Sequence, residues 1–207
     1  MKYLSLLLLF IAFSCVKDGK IDSKQLTIEL DSILVADQLV RKKLNEAQKL
    51  YGWNSPELFK MQTTMHSIDS GNLIKIIEII NLLGGYPGIS LVGERAGNAT
   101  FYVLQHAPDS IQKKYLHLIL EAAKNGELNK RKAALYYDRY LMNREQPQVY
   151  GSQVRFDSFT DKKTGLKVDT AYVWPIADTV AIDSLRTSIG MNPLEGYLNQ
   201  FGLSRWQ

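Results

Sequence analysis

Between Gln25 and Arg144 apolar residues return every three or four positions, and the runs stop where glycine, proline or asparagine gathers. Leu26, Leu30, Ile33, Val40, Leu44, Ala47 and Tyr51 form one such stripe, closed by Gly52. Asn54-Ser55-Pro56 predicts a short helix to about His66. Asp69 or Ser70 is then placed to cap a third helix, with Leu73, Ile76, Ile77, Ile80 and Leu83 along its apolar face. Gly84 to Gly88 interrupt the chain. Three further helices follow: one from a Ser90 cap to about Ala107, one opened by Pro108-Asp109 and stopped by Asn125-Gly126, and one from about Asn129 to Arg144. In the first of these, Gly93, Ala96, Gly97, Ala99 and Thr100 are small enough to let a neighbouring helix approach closely.

The texture changes after Pro147. Val149 to Phe159 and Leu166 to Pro175 are rich in β-branched and aromatic residues, and Asp161 to Gly165 between them is turn-forming, which predicts a hairpin. Two short helices, about Thr179 to Ile189 and Pro193 to Phe201, finish the chain. The expected fold class is mainly α: a single helical domain over residues 25–207 with a small β-hairpin near the C-terminus.

The first 24 residues have another character. After Met1, Lys2 and Tyr3, residues Leu4 to Phe13 are apolar except for Ser5. That run is shorter than the roughly 20 residues a membrane-spanning helix needs, and it matches the core of a signal peptide over residues 1–14. Cys15, the only cysteine of the chain, follows directly. Ile11-Ala12-Phe13-Ser14-Cys15 resembles a lipobox, in which the signal is cut before the cysteine and the thiol receives lipid. Ala12 and Phe13 are looser matches than Ser14, and the run is also compatible with an ordinary secretory signal or with a buried first helix that happens to carry a cysteine. The lipobox reading makes the protein a lipoprotein held to a membrane of the cell envelope through fatty acid such as palmitate on Cys15, with residues 15–24 as the lipidated cysteine and a polar tether.

Removing the signal takes away Lys2 and no acid, so the formal charge falls from +4 to +3, too slight and too evenly mixed to call for nucleic acid. A mature chain with no further cysteine has no disulfide and no thiol nucleophile. His66 and His117 show no ligand spacing to His106, so neither a metal site nor a cofactor is expected.

Three features break the helical pattern. Asp37 occupies a stripe position, four after Ile33 and three before Val40, where a carboxylate needs a partner unless the stripe edge is solvated; Arg41 is within reach on the same helix. His106, beside Gln105, ends the apolar face Val92, Ala96, Ala99, Val103, where a histidine serves either as a hydrogen-bonded structural group or as a functional one. Gln148 to Gln153 follow Asp138-Arg139; in a strand Gln148, Tyr150 and Ser152 face one way, and Gly151 offers a bend that brings both glutamines together. Their amides suit a polar ligand and loop backbone equally well.

Asp37-Gln38-x-x-Arg41, Tyr86-Pro87-x-x-Ser90-Leu91-Val92-Gly93, Gln105-His106-Ala107, Asp138-Arg139 and Gln148-x-Tyr150-Gly151-x-Gln153 occur in that order, followed by Asp183-x-x-Arg186 and Gly190-Met191-Asn192-Pro193-Leu194-Glu195-x-Tyr197. This ordered set resembles domain-of-unknown-function family 6624, a bacterial group of exported and cytosolic proteins. Glu145-Gln146-Pro147 departs from the family's usual glycine and basic residue. The resemblance implies the fold and the residue set, and no activity.

Asp37, Gln38, Arg41, Gln105, His106, Asp138, Arg139, Gln148, Tyr150 and Gln153 are therefore the expected lining of one pocket for a small polar or peptide-like ligand, or for a segment of another envelope protein. A rival reading is a hydrolase or transferase with His106 as general acid/base, Asp37 or Asp138 orienting it, and Arg41 or Arg139 clamping an anion. Neither Ser90 nor Ser152 sits in a nucleophile elbow. A third reading makes the same residues a buried network that holds the helices in register.

Overall fold

A computed structural model describes residues 16–17 and 20–204. The signal segment and Cys15 lie outside the described residues. Val16–Lys17 (β1) pairs antiparallel with Lys20–Ile21 (β2) in the stretch expected as tether. The rest is mainly α, with one hairpin toward the C-terminus, as the hydrophobic periods predict. The chain divides into two compact units, one ending at Leu128 and the other beginning at Asn129.

The first unit is helical. α1 (Ser23–Tyr51) starts two residues before the expected point because the Asp22 side chain accepts the Lys24 and Gln25 N–H groups. Its buried face is Leu26, Leu30, Ile33, Asp37, Val40 and Ala47. Full burial of each Leu or Ile is worth about 1.5–3 kcal/mol, so this face rather than intrinsic propensity holds the helix. α1 packs along both α2 (Pro56–Leu83) and α3 (Ile89–Gln105), and α4 (Asp109–Lys124) closes the unit by packing on α3.

The helices predicted on either side of residues 67–69 are one continuous helix, α2. Ser70 does not cap; its hydroxyl donates back to the His66 carbonyl at 2.8 Å, a bond compatible with an unbroken helix. Ser90 does not cap α3 either. The Ser90 and Ile89 N–H groups donate to Glu127, to its carboxylate at 2.9 Å and its backbone carbonyl at 3.2 Å, so an acid from the loop after α4 takes that role. Gly93 (φ 78°) interrupts α3 after its first turn. Gly97 admits not a helix but the loop before α3: a Cβ there would stand 3.3 Å from the Gly88 carbonyl carbon, and the Tyr86 hydroxyl donates to the Gly97 carbonyl at 2.7 Å.

The second unit opens with α5 (Lys130–Met142), capped by the Asn129 side chain, which accepts from the Arg131 N–H. β3 (Val154–Thr160) and β4 (Lys167–Val173) form an antiparallel hairpin in register from Val154↔Val173 to Thr160↔Lys167. Asp161 Oδ1 accepts from the Lys163 and Thr164 N–H groups and fixes the turn. α6 (Ile182–Ser188), α7 (Leu194–Leu198) and a 3₁₀ turn (Asn199–Phe201) follow. Ile182, Leu194 and Leu198 form the apolar centre, with Val154, Val173, Ile176, Tyr197 and Leu203 packed against it. The expected strand from Val149 to Phe159 exists only from Val154; residues 148–153 are an arch whose backbone donors have another partner.

Among the described residues no helix is long and apolar enough to cross a membrane.

Candidate functional site

Each unit carries its own group of the expected residues: Asp37, Gln38, Arg41, Gln105 and His106 in the first, Asp138, Arg139, Gln148, Tyr150 and Gln153 in the second.

In the first unit the anomaly at Asp37 is real, for its side chain is 1% exposed. Arg41, one turn on, places Nη1 at 2.9 Å from Asp37 Oδ1 and also donates to the Asp37 carbonyl. Gln38 donates to Oδ2 at 2.7 Å. His106, the C-cap of α3, holds Nδ1 at 3.5 Å from Asp37 Oδ1. That is ion-pair distance, but too long for a well-formed hydrogen bond, and among the described residues Nδ1 meets no better acceptor. Burial pushes the Asp37 carboxyl up, but His106, Arg41 and Gln38 more than offset it and leave it below the ordinary carboxylate value.

The group extends to a residue that sequence reasoning assigned to a helix cap. Arg41 Nη2 donates to both oxygens of Asp69, at 3.0 and 3.1 Å, so one guanidinium links carboxylates of α1 and α2. Asp69 faces a cleft of about 330 Å³ together with His66, Ser70 and His106. Leu73, Val103 and Pro108 supply its apolar wall. A signal was present: His66, Asp69, Ser70 and Leu73 stand at helical spacing and continue the Leu73, Ile76, Ile80 stripe backwards. Gln105 is buried beside this group. The missed partner of the α3 terminus is Gln112, whose amide donates to the Gln105 and Ala107 carbonyls at 3.3 and 2.9 Å. Among the described residues no set of three or more His, Cys, Asp or Glu side chains is arranged to hold a metal ion.

In the second unit Asp138 is the hub. Its carboxylate is fully buried and accepts the Val149 N–H at 2.8 Å, the Tyr150 N–H at 3.0 Å, the Ser152 N–H at 3.0 Å and the Ser152 hydroxyl at 2.8 Å. Burial pushes this carboxyl up, against the N–H groups of Tyr150, Ser152 and Val149 and the Ser152 hydroxyl, which favour its charge. Gln148, also fully buried, closes the arch from within: its amide donates to the Gln153 and Trp174 carbonyls at 3.0 and 2.7 Å and accepts the Gln153 N–H at 2.8 Å. Gln153 donates to the Leu135 carbonyl and the Ser152 hydroxyl and accepts from Arg139 Nε at 3.3 Å. The two glutamines are thus brought together, as Gly151 (φ 63°) permits. Tyr150 is half-buried, and burial and the neighbouring Asp138 push its hydroxyl up. Arg186, outside the expected set, braces the arch from α6 by donating to the Tyr150 and Asn192 carbonyls, both at 2.7 Å.

The architecture is that of a mainly α protein carrying a polar cleft between α2 and the C-terminal end of α3, and a carboxylate-centred arch beside a β-hairpin. The chain belongs to the Family of unknown function (DUF6624), which it matches over residues 24–202. No curated protein matches it. No solved structure matches it either.

Proposed function

We propose that this protein is a lipid-anchored envelope protein whose first unit binds a small polar or peptide-like ligand in the His106 cleft. The observation that carries the reading is the contrast between the two polar groups. Around Asp138 and Gln148 the hydrogen-bonding capacity is used on the protein's own backbone, which suits a framework. Around His106 part of it stays open: an imidazole with 24% of its side chain exposed and no close acceptor for Nδ1 among the described residues lines an open cleft with His66, Asp69 and Ser70, backed by a buried carboxylate. Mixed imidazole, carboxylate and hydroxyl groups over an apolar wall suit a ligand with both donors and acceptors.

Titrating the full-length protein with small peptides and polar metabolites, while following the His66 and His106 ring resonances by NMR, tests this. A ligand of the cleft shifts both rings together and loses affinity at least tenfold in His106→Ala. Ligand-induced shifts that avoid both histidines contradict it.

A second reading has one specific observation in its favour. Asp37 lies behind His106 on the Nδ1 side, as an orienting carboxylate would, which leaves the opposite ring nitrogen for proton transfer. On that reading the cleft belongs to a hydrolase or transferase, and Asp37→Asn lowers turnover while leaving ligand affinity within about threefold.

The anchor is the part of the proposal that rests on Cys15 and the apolar run before it. Cys15→Ser is expected to abolish incorporation of labelled fatty acid and to release the protein from the membrane fraction. Undiminished labelling in that variant contradicts the lipoprotein reading.

A further inference from the structure

Arg186 is one of the least exposed charged residues in the second unit, at 3%. Burial pushes its guanidinium down from the ordinary arginine value, while Tyr197, whose ring centroid lies 5.2 Å from the guanidinium carbon, and the charges of Asp183 and Asp138 favour its charged form. Its hydrogen bonds are all to neutral carbonyls: Nε to Asn192, Nη1 to Tyr150 and Gly151. Nη2 has no hydrogen-bond partner among the described residues. The nearby acids are already engaged, Asp138 by the arch and Asp183 by the Leu194 N–H at 2.8 Å.

This guanidinium lines a second cavity of about 210 Å³, which also holds Arg131. Arg131 uses Nε and its backbone N–H on the Asn129 side chain, and neither terminal nitrogen has a partner among the described residues. Ser152 also lines it, with its hydroxyl proton already donated to Asp138, and Leu135, Met191 and Tyr197 supply apolar and aromatic wall. Among the described residues no Asp or Glu lines the cavity. Two cations with donors to spare attract an anion: the two terminal nitrogens of Arg131 can fork onto a planar two-oxygen acceptor, and Arg186 adds Nη2.

We propose that the cavity between Arg131 and Arg186 is a carboxylate-binding site, taking a small organic acid whose apolar body rests against Leu135, Met191 and Tyr197. The site lies wholly within the second unit and does not depend on the His106 cleft. A volume of about 210 Å³ suits a ligand of the size of a single amino acid or an aromatic acid. Ser152 connects it to the arch, since its hydroxyl and N–H are both held by Asp138.

Benzoate tests the proposal, with neutral benzamide and inorganic phosphate as comparisons, each titrated into the full-length protein while the Ser152 amide and Arg186 Nε–H signals are followed. Arg186→Gln is the obvious variant but removes a brace of the arch, so the deciding substitutions are at exposed Arg131. Benzoate is expected to shift both signals saturably, Arg131→Glu to weaken that binding at least tenfold, Arg131→Lys by less than about threefold, and benzamide not to saturate. The proposal is overturned if benzoate produces no saturable shift, if benzamide matches it, or if Arg131→Glu leaves it unchanged. Tighter binding of phosphate than of benzoate also overturns it, in favour of a phosphate site.

Discussion

Replacing Asp138 with alanine is expected to cost at least about 3 kcal/mol in denaturant unfolding, with the loss centred on the second unit. The substitution strips the Val149, Tyr150 and Ser152 N–H groups of their acceptor at once. Each buried donor left without a partner costs about 1–3 kcal/mol, and the arch has no second carboxylate to offer. Relief of the burial that raises this carboxyl offsets only part of the loss, because the donors remain buried when the charge is gone. Asp138→Asn is expected to do less harm, for its amide keeps one acceptor oxygen but turns an NH₂ against N–H donors. Hydrogen exchange should show the Val149 to Gln153 amides losing protection first. An alanine variant within about 1 kcal/mol of the wild type would mean that the arch is held by something other than Asp138.

Asp37→Ala carries the second large effect, about 3 kcal/mol, at the lower end of what breaking a buried ion pair costs because Arg41 keeps Asp69 as a partner. The Asp37 contribution also has a pH signature. Its folded pKa lies below the ordinary value, so the stabilisation by the ionised form is complete above about pH 4 and lost as pH falls through the depressed folded value. The stability difference between wild type and Asp37→Asn is therefore expected to be flat from neutrality down to about pH 5 and to shrink below about pH 4. A difference that grows on acidification contradicts the assigned direction.

Much of this architecture is legible in the sequence because helices are local objects. The stripe Leu26, Leu30, Ile33, Val40 encodes its buried face by spacing alone, and Asp37 stands out because it interrupts that face. The failures have a common cause. Asp and Ser are the residue types that cap helices, so Asp69-Ser70 reads as a helix start, although Asp69 is committed to Arg41, 28 residues away. The β-rich stretch from Val149 reads as strand, but its N–H groups turn to a carboxylate on α5, 11 to 14 residues back in the chain. Arg186 entered only as part of a motif, because no period marks an arginine whose acceptors are backbone carbonyls. Long-range hydrogen bonding leaves no periodic trace, and the polar groups of this protein are built from it.

On the proposed function, His106 stands at a ligand site and not within a structural knot. Its imidazole is partly exposed, and its Nδ1 contact with Asp37 is long. The unfolding free energy of His106→Ala, taken together with its ligand-induced NMR shifts, separates the two. The expected result is a stability within about 1 kcal/mol of wild type, well short of the Asp37→Ala loss, together with at least tenfold weaker ligand binding. A His106→Ala variant as unstable as Asp37→Ala, with ligand binding unchanged, would contradict it.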